Sequence, residues 1–315
     1  MRNSLKLSAI LILAAAMMGA CRGSAVAPNA ADAPKPEPRA VTDDMGRRVT
    51  VPAAVTRVVS LAPSVTEIIF AVGAGDRLVG VTTFCNYPEQ ARSIAKIGDT
   101  MTPNMETIVA LRPDVVFVSS ASQLEGFTKL LEQNGIAVYV IDPQSLPDLY
   151  GKSLRQLGTL FDKYDDASRL ADSLERRHRD ICRITNGCAG RAEGGTGPAA
   201  VRVFVQVSRE PLFTVGRSSF LSQVIRDAGG ILATENVETA FPKLSKETAS
   251  ALNPEVLILS DSEDNKEPND AFKNAPAVKN GRVYRVNADL ISRPGPRLID
   301  ALEQIAMDLH PEKFR

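Results

Sequence analysis

The chain of 315 residues has no tryptophan, only two histidines and no net charge, and each shortage removes a class of function. His178 sits among Glu175, Arg176, Arg177 and Arg179, and His310 stands near the end. Neither accompanies a nucleophile as a general base would, and together they form no cluster suited to zinc or manganese, so no metal site is expected. Gly-x-Ser-x-Gly, His-Glu-x-x-His and phosphate-loop motifs are all missing. The chain is therefore read as a non-enzyme without a cofactor, with an exported hydrolase using an unfamiliar site as the alternative. Basic and acidic side chains balance at 37 each, so no basic field points to nucleic acid.

Long apolar runs are also missing. The longest, Leu7 to Ala20, falls short of the roughly 20 residues that span a bilayer. It follows Arg2 and Lys6 and ends in Gly19, Ala20 and Cys21, the layout of an export signal. Two readings fit. Residues 1–20 are a lipoprotein signal cut before a lipidated Cys21, or a plain secretory signal cut after Ala20. Removal of the leader leaves 35 basic against 37 acidic side chains. Residues 21–41, rich in Ala, Pro, Gly and Ser, hold too few large apolar groups for a core and are expected to be a flexible tether.

Cysteine is scarce, with four in all. An exported chain permits disulfides, and Cys182 and Cys188 flank Asn186-Gly187, close enough for a local bridge; spacing alone leaves a bridge and free thiols equally open. Cys85 is left over, either a partly buried free thiol or a ligand contact.

The chain does contain one phrase twice: Glu106-Thr107-Ile108-Val109-Ala110-Leu111-Arg112-Pro113-Asp114-Val115 and Glu247-Thr248-Ala249-Ser250-Ala251-Leu252-Asn253-Pro254-Glu255-Val256. In each copy an apolar-faced helix meets a proline, and an acid leads into a β-branched run. Helix, turn and buried strand are expected twice, in two related lobes. Elsewhere strands alternate with helical patterns, which predicts an α/β fold of mainly parallel sheets covered by helices. The first lobe is expected over 42–145 and the second over 199–315. Between them, 146–184 carries leucines and alanines at intervals of three and four with a break near Asp162 to Asp166, read as a rigid linking helix region, and 185–198 reads as a loop rich in Gly and Ala.

Several further phrases then coincide: Thr42-Asp43-Asp44-Met45-Gly46-Arg47, Arg57 to Glu67 (Arg-Val-Val-Ser-Leu-Ala-Pro-Ser-Val-Thr-Glu), Tyr87-Pro88 and Gly295-Pro296-Arg297-Leu298. With the duplicated unit, they resemble the substrate-binding proteins of cobalamin and iron-siderophore ABC importers over about residues 42–312. The resemblance is greatest to the cobalamin-binding members. It implies two α/β lobes joined by a rigid backbone helix, an extracytoplasmic monomer anchored to the membrane by lipid, and delivery of a corrinoid to importer membrane subunits. Haem or a ferric siderophore is the alternative ligand.

The family's cleft aromatics fall on Phe84, beside Tyr87-Pro88, and on Phe241, with Tyr87 a further candidate face, and its acid and arginine near the last strand fall on Asp289 and Arg293. Thr100 stands where a family tryptophan is expected. Phe213 fits a cleft wall or the core equally, since phenylalanine is so often buried. Arg293 suits either a ligand contact or an ion pair with Asp289. Glu106 and Glu247 occupy the first turns of their helices, where the helix dipole alone favours an acid. The resemblance adds a second role, pairing with arginines of the importer.

Overall fold

The computed structural model of the chain describes residues 37–119, 125–188 and 201–314. The leader, Cys21, most of the tether and residues 189–198 of the Gly- and Ala-rich loop lie outside the described residues. One boundary needs correction: the expected tether reaches 41, yet Arg39–Thr42 is a strand, β1, paired antiparallel with β2 (Arg48–Val51). The buried Asp43 carboxylate fixes the turn, accepting from Arg47 N at 2.8 Å and from Arg47 Nε at 2.8 Å. Short polar side chains often cap a turn in this way.

The first lobe is a parallel sheet in the order β4 (Leu78–Val81), β3 (Val58–Ser60), β5 (Val115–Val118), β6 (Ala137–Val140). Its crossovers contain α1 (Pro63–Ala71), α2 (Met105–Ala110) and α3 (Glu125–Gln133). Every residue of β3 and β5 is buried, as strands covered on both faces must be. Val115 and Phe117 face one core cluster, Val116 and Val118 another, following the two-residue period of a strand.

The second lobe repeats the plan with β7 (Val201–Ser208), β8 (Phe213–Thr214), β9 (Gly230–Leu232), β10 (Val256–Asp261) and β11 (Val283–Asn287). Strands β11, β10 and β7 run parallel; β9 joins β7 in parallel, and the short β8 joins it antiparallel. Helices α7 (Phe220–Asp227), α8 (Lys246–Leu252), α9 (Pro276–Lys279), α10 (Ala288–Ser292) and α11 (Leu298–Leu309) complete it.

The duplicated phrase has the same detailed structure in both lobes. Asn104 caps α2 at Thr107 N, and Ser245 caps α8 at Thr248 N. Each helix ends at a left-handed residue, Arg112 (φ 47°) and Asn253 (φ 45°). The acid that follows then binds the start of the lobe's first strand. Asp114 accepts from Arg57 N at 2.9 Å, and Glu255 from Arg202 N at 2.8 Å. Each arginine reaches back in turn: Arg57 donates to Leu111 O at 2.7 Å and Arg202 to Leu252 O at 3.0 Å.

The linking region differs from a single strut. After α4 (Leu146–Asp148) and a wide π turn, α5 (Leu154–Leu160) ends, the chain reverses at Asp162 (φ 56°), and α6 (Tyr164–Thr185) runs back alongside. Arg155 bonds Asp172 at 2.6 Å and Tyr150 bonds His178 at 2.7 Å, which fixes the antiparallel hairpin. Among the described residues, α6 is the helix that runs from the first lobe to the second. Its 22 residues reach about 33 Å at 1.5 Å each. Ala167 and Ala171 belong to the core cluster shared with Phe117, and toward the other end Arg177 bonds Asp300 and Glu303 of α11.

Candidate functional site

Helix α1 places a carboxylate where an apolar side chain would be ordinary. Glu67 is 3% exposed between Val65 and Ile68. A buried carboxylate is costly unless paired and hydrogen-bonded. Two arginines of the second lobe supply the pairing: Arg293 Nη1 lies 2.8 Å from Glu67 Oε1, while Arg297 donates from Nε at 2.8 Å and from Nη2 at 2.6 Å. Arg297 is held above the ordinary arginine value, first by its hydrogen bond to Glu67.

Arg293 and Asp289 are four residues apart, the spacing that brings side chains together on one helical face, and their contact is 2.7 Å. Asn86, from the loop after β4, accepts from Arg293 at 2.8 Å and donates to Asp289 at 3.0 Å. Arg293 also reaches the Phe84 carbonyl at 3.4 Å. Two carboxylates and two guanidiniums thus close a charge-balanced clasp between the lobes. Arg293 thus pairs with Asp289, as one of its two readings has it, and also with the more deeply buried Glu67.

Tyr87 joins this clasp through its ring, with the Arg297 guanidinium 3.8 Å from the centroid. Both line a cavity of about 410 Å³ together with Glu67, Phe70, Pro88, Gln90 and Pro296. That volume falls in the lower part of the usual range for small-molecule sites, roughly 300–1,000 Å³.

Of the remaining expected aromatics, Phe84 touches the clasp through its backbone carbonyl alone, and Phe213 and Phe241 lie elsewhere. Phe84 is 59% exposed, and Phe241 46% exposed, beside a loop segment that Thr214 N ties to Pro242 O. Phe213 is half-buried on β8 and bridges to Lys243, so Phe213 and Phe241 occupy adjoining segments of the second lobe. Among the expected ligand residues, Phe84, Tyr87, Asp289 and Arg293 meet at the clasp; Phe213 and Phe241 are not part of it. The sequence reading missed Glu67, Asn86 and Arg297 as participants. An acid amid Ile68, Ile69 and Phe70 on a helix entering the core was the available signal.

Cys85 is buried, with its sulfur 3.1 Å from both Thr66 Oγ1 and Thr82 Oγ1. Cys182 and Cys188 form a disulfide. His178 requires a correction: it faces the interior, bonded to Tyr150 on one ring nitrogen and to Asp227 on the other. A 3.6-residue period puts it on the face of Leu174, Ile181 and Cys182 despite its charged neighbours in sequence. Glu106 and Glu247 are exposed at the second position of α2 and α8. Hydrogen bonds from its own N–H and from Ser245 hold the Glu247 carboxyl below its usual value.

Among the described residues no helix is long and apolar enough to cross a membrane. A family model described as "Periplasmic binding protein" matches residues 58–290. A Bacillus subtilis protein named as an uncharacterized ABC transporter substrate-binding lipoprotein, YvrC, is 32% identical over 98% of this chain and 97% of its own length. A vitamin B12-binding protein of Vibrio vulnificus is 31% identical over 80% of this chain and 89% of its own. Among solved structures, the periplasmic vitamin B12 binding protein BtuF of Vibrio cholerae superposes with a TM-score of 0.69 at 27% identity, covering 83% of this chain and 99% of that one. The periplasmic heme-binding protein RhuT from Roseiflexus sp. RS-1 gives a TM-score of 0.69 at 23% identity, a likeness of fold, covering 82% of this chain and all of that one.

Proposed function

Because the chain belongs to the periplasmic binding protein family, we propose that it is a lipid-anchored, monomeric, extracytoplasmic receptor that captures a corrinoid and delivers it to the membrane subunits of an ABC importer. The observation that carries this reading is the meeting of Phe84, Tyr87, Asp289 and Arg293 at one junction of the two lobes. A corrinoid is large and partly flat, with amides around its rim. Exposed aromatic faces answer the ring, and a charged network with hydrogen-bonding capacity answers the rim. Similarity to vitamin B12-binding proteins supports the ligand class, and similarity to an ABC transporter lipoprotein supports the anchor at Cys21 and the importer.

Titration calorimetry of the mature chain with cyanocobalamin, cobinamide, haem and a ferric siderophore tests the assignment. One corrinoid should bind per chain, be recovered chemically unchanged, and leave haem and siderophore without a binding heat. Binding of haem or siderophore in place of corrinoid would overturn the ligand assignment. A chemically altered corrinoid would favour the exported hydrolase instead.

A further inference from the structure

Away from the lobe clasp, four side chains converge where α6 meets α7. His178 and Cys182 are one helical turn apart on the buried face of α6. The left-handed Asn186 (φ 58°) turns the chain back after α6, so that Cys188 Sγ comes within 3.6 Å of His178 Nε2. From α7, Asp227 brings Oδ2 to 2.9 Å from the same nitrogen. Donor atoms of these four residues all lie within 4.8 Å of one another.

Two sulfurs, one imidazole nitrogen and one carboxylate oxygen are a donor set for tetrahedral zinc. Bond lengths of about 2.0 Å to nitrogen or oxygen and 2.3 Å to sulfur separate neighbouring donors by roughly 3.3–3.8 Å. The outer groups are present as well. Tyr150 Oη is 2.7 Å from His178 Nδ1, where it can accept the ring proton and leave Nε2 with a free lone pair. Gln223 donates to Asp227 Oδ1 at 2.6 Å, orienting the carboxylate. Such partners fix the orientation and basicity of metal ligands.

In the disulfide form seen here the sulfurs are bonded to each other. We infer that, once that disulfide is reduced, His178, Cys182, Cys188 and Asp227 bind one zinc-type divalent cation. The joint between the linking helix and the second lobe is therefore closed in two alternative ways. A thiol or phosphine reductant supplies two electrons to the S–S bond and is itself oxidised. Two protons complete the thiols. Cation binding then releases both to solvent, leaving two thiolates on the metal. All four positions are filled by protein, so the site is structural and presents no open place for substrate.

Cobalt(II) as a spectroscopic probe tests this on the mature chain treated with a water-soluble phosphine. The reduced chain should take up one cobalt, with a thiolate-to-metal charge-transfer band and tetrahedral visible bands that one equivalent of zinc abolishes. The untreated chain should show neither. Cys188 is exposed, so Cys188→Ser should melt as the reduced wild type yet show a weaker charge-transfer band, with Cys182 the one thiolate left in the set. His178→Gln should lose the tetrahedral bands. Tyr150→Phe should keep them with cobalt bound about ten- to a hundredfold more weakly. Three results overturn the inference: no charge-transfer band in the reduced chain, an unchanged spectrum in His178→Gln, or a thiol count that still finds only Cys85 after the phosphine. None of these readouts depends on the ligand of the lobe clasp.

Discussion

Phe241 and Asp308 are opposite cases of a side chain whose surroundings do not suit it. About half of the Phe241 residue is exposed, on a chain segment tied by Pro242 O to Thr214 N of β8. Removing the ring should therefore leave the thermal midpoint near wild type. If it covers a bound corrinoid, about 100 Å² of lost apolar contact corresponds to about 2.5 kcal/mol at 25 cal/mol per Å². Calorimetry should show Phe241→Ala binding at least about tenfold more weakly, the equivalent of about 1.4 kcal/mol. A large drop in melting temperature with unchanged affinity would mark the ring as structural.

Asp308 is half-buried on α11, its Oδ2 without a hydrogen bond among the described residues, and burial pushes its carboxyl from 3.8 up to about 6. Between those values the folded chain holds a proton that the unfolded chain has lost. The contribution of Asp308 to stability is thus greatest below about 3.8 and falls as pH rises from there to about 6. Asp308→Asn, which cannot ionise, should melt with wild type near pH 4 and above it near pH 7. Melting curves across that range check the sign.

At the scale of elements, much of the architecture could be read from the chain. Strands Val115–Val118 and Val256–Asp261 follow their helices as the duplicated phrase requires, because a proline stop and a β-branched run are local instructions. The linking region was legible only in part. Leucines spaced for one long helix are spaced equally well for two helices folded against each other, so periodicity reveals the break but not the reversal. The reversal depends on Asp162 and on Gly158, where an added Cβ would overlap the Ala167 methyl. Gly158→Ala tests that crossing. On propensity alone it should stabilise α5 by about 1 kcal/mol. Overpacking should outweigh this and leave a net loss of about 1–3 kcal/mol, seen as a lower urea midpoint. An unchanged or raised midpoint would mean that the helices separate at no cost. At the lobe clasp Tyr87, Asp289 and Arg293 were readable through the family resemblance, but Glu67, Asn86 and Arg297 were not, since Glu67 and Arg293 are 226 positions apart and no local pattern reports such a pairing.

For the whole molecule, the two helix-borne acids offer a test of importer docking. Glu106 and Glu247 repeat the same position in two lobes of the same plan, so a membrane partner with two-fold symmetry would meet equivalent carboxylates on each side. Charge complementarity of this kind sets orientation and encounter rate more than it affects a ligand bound elsewhere. Glu106→Arg with Glu247→Arg should abolish uptake through the cognate permease, each single reversal being intermediate, while ligand affinity in solution stays within about twofold, well under the 1.4 kcal/mol of a tenfold change. Normal transport by the double variant would reduce both residues to helix-terminus acids.

Arg293 has its needs met by partners within the protein. Glu67, Asn86 and Asp289 occupy its guanidinium. A guest seeking that cation must therefore compete with resident acceptors, and its affinity registers only how much better it serves the arginine than they do. Weak acceptors would leave the residents in place. Selectivity can thus arise from an internal rival that sets a threshold, rather than from a vacant charge awaiting a partner.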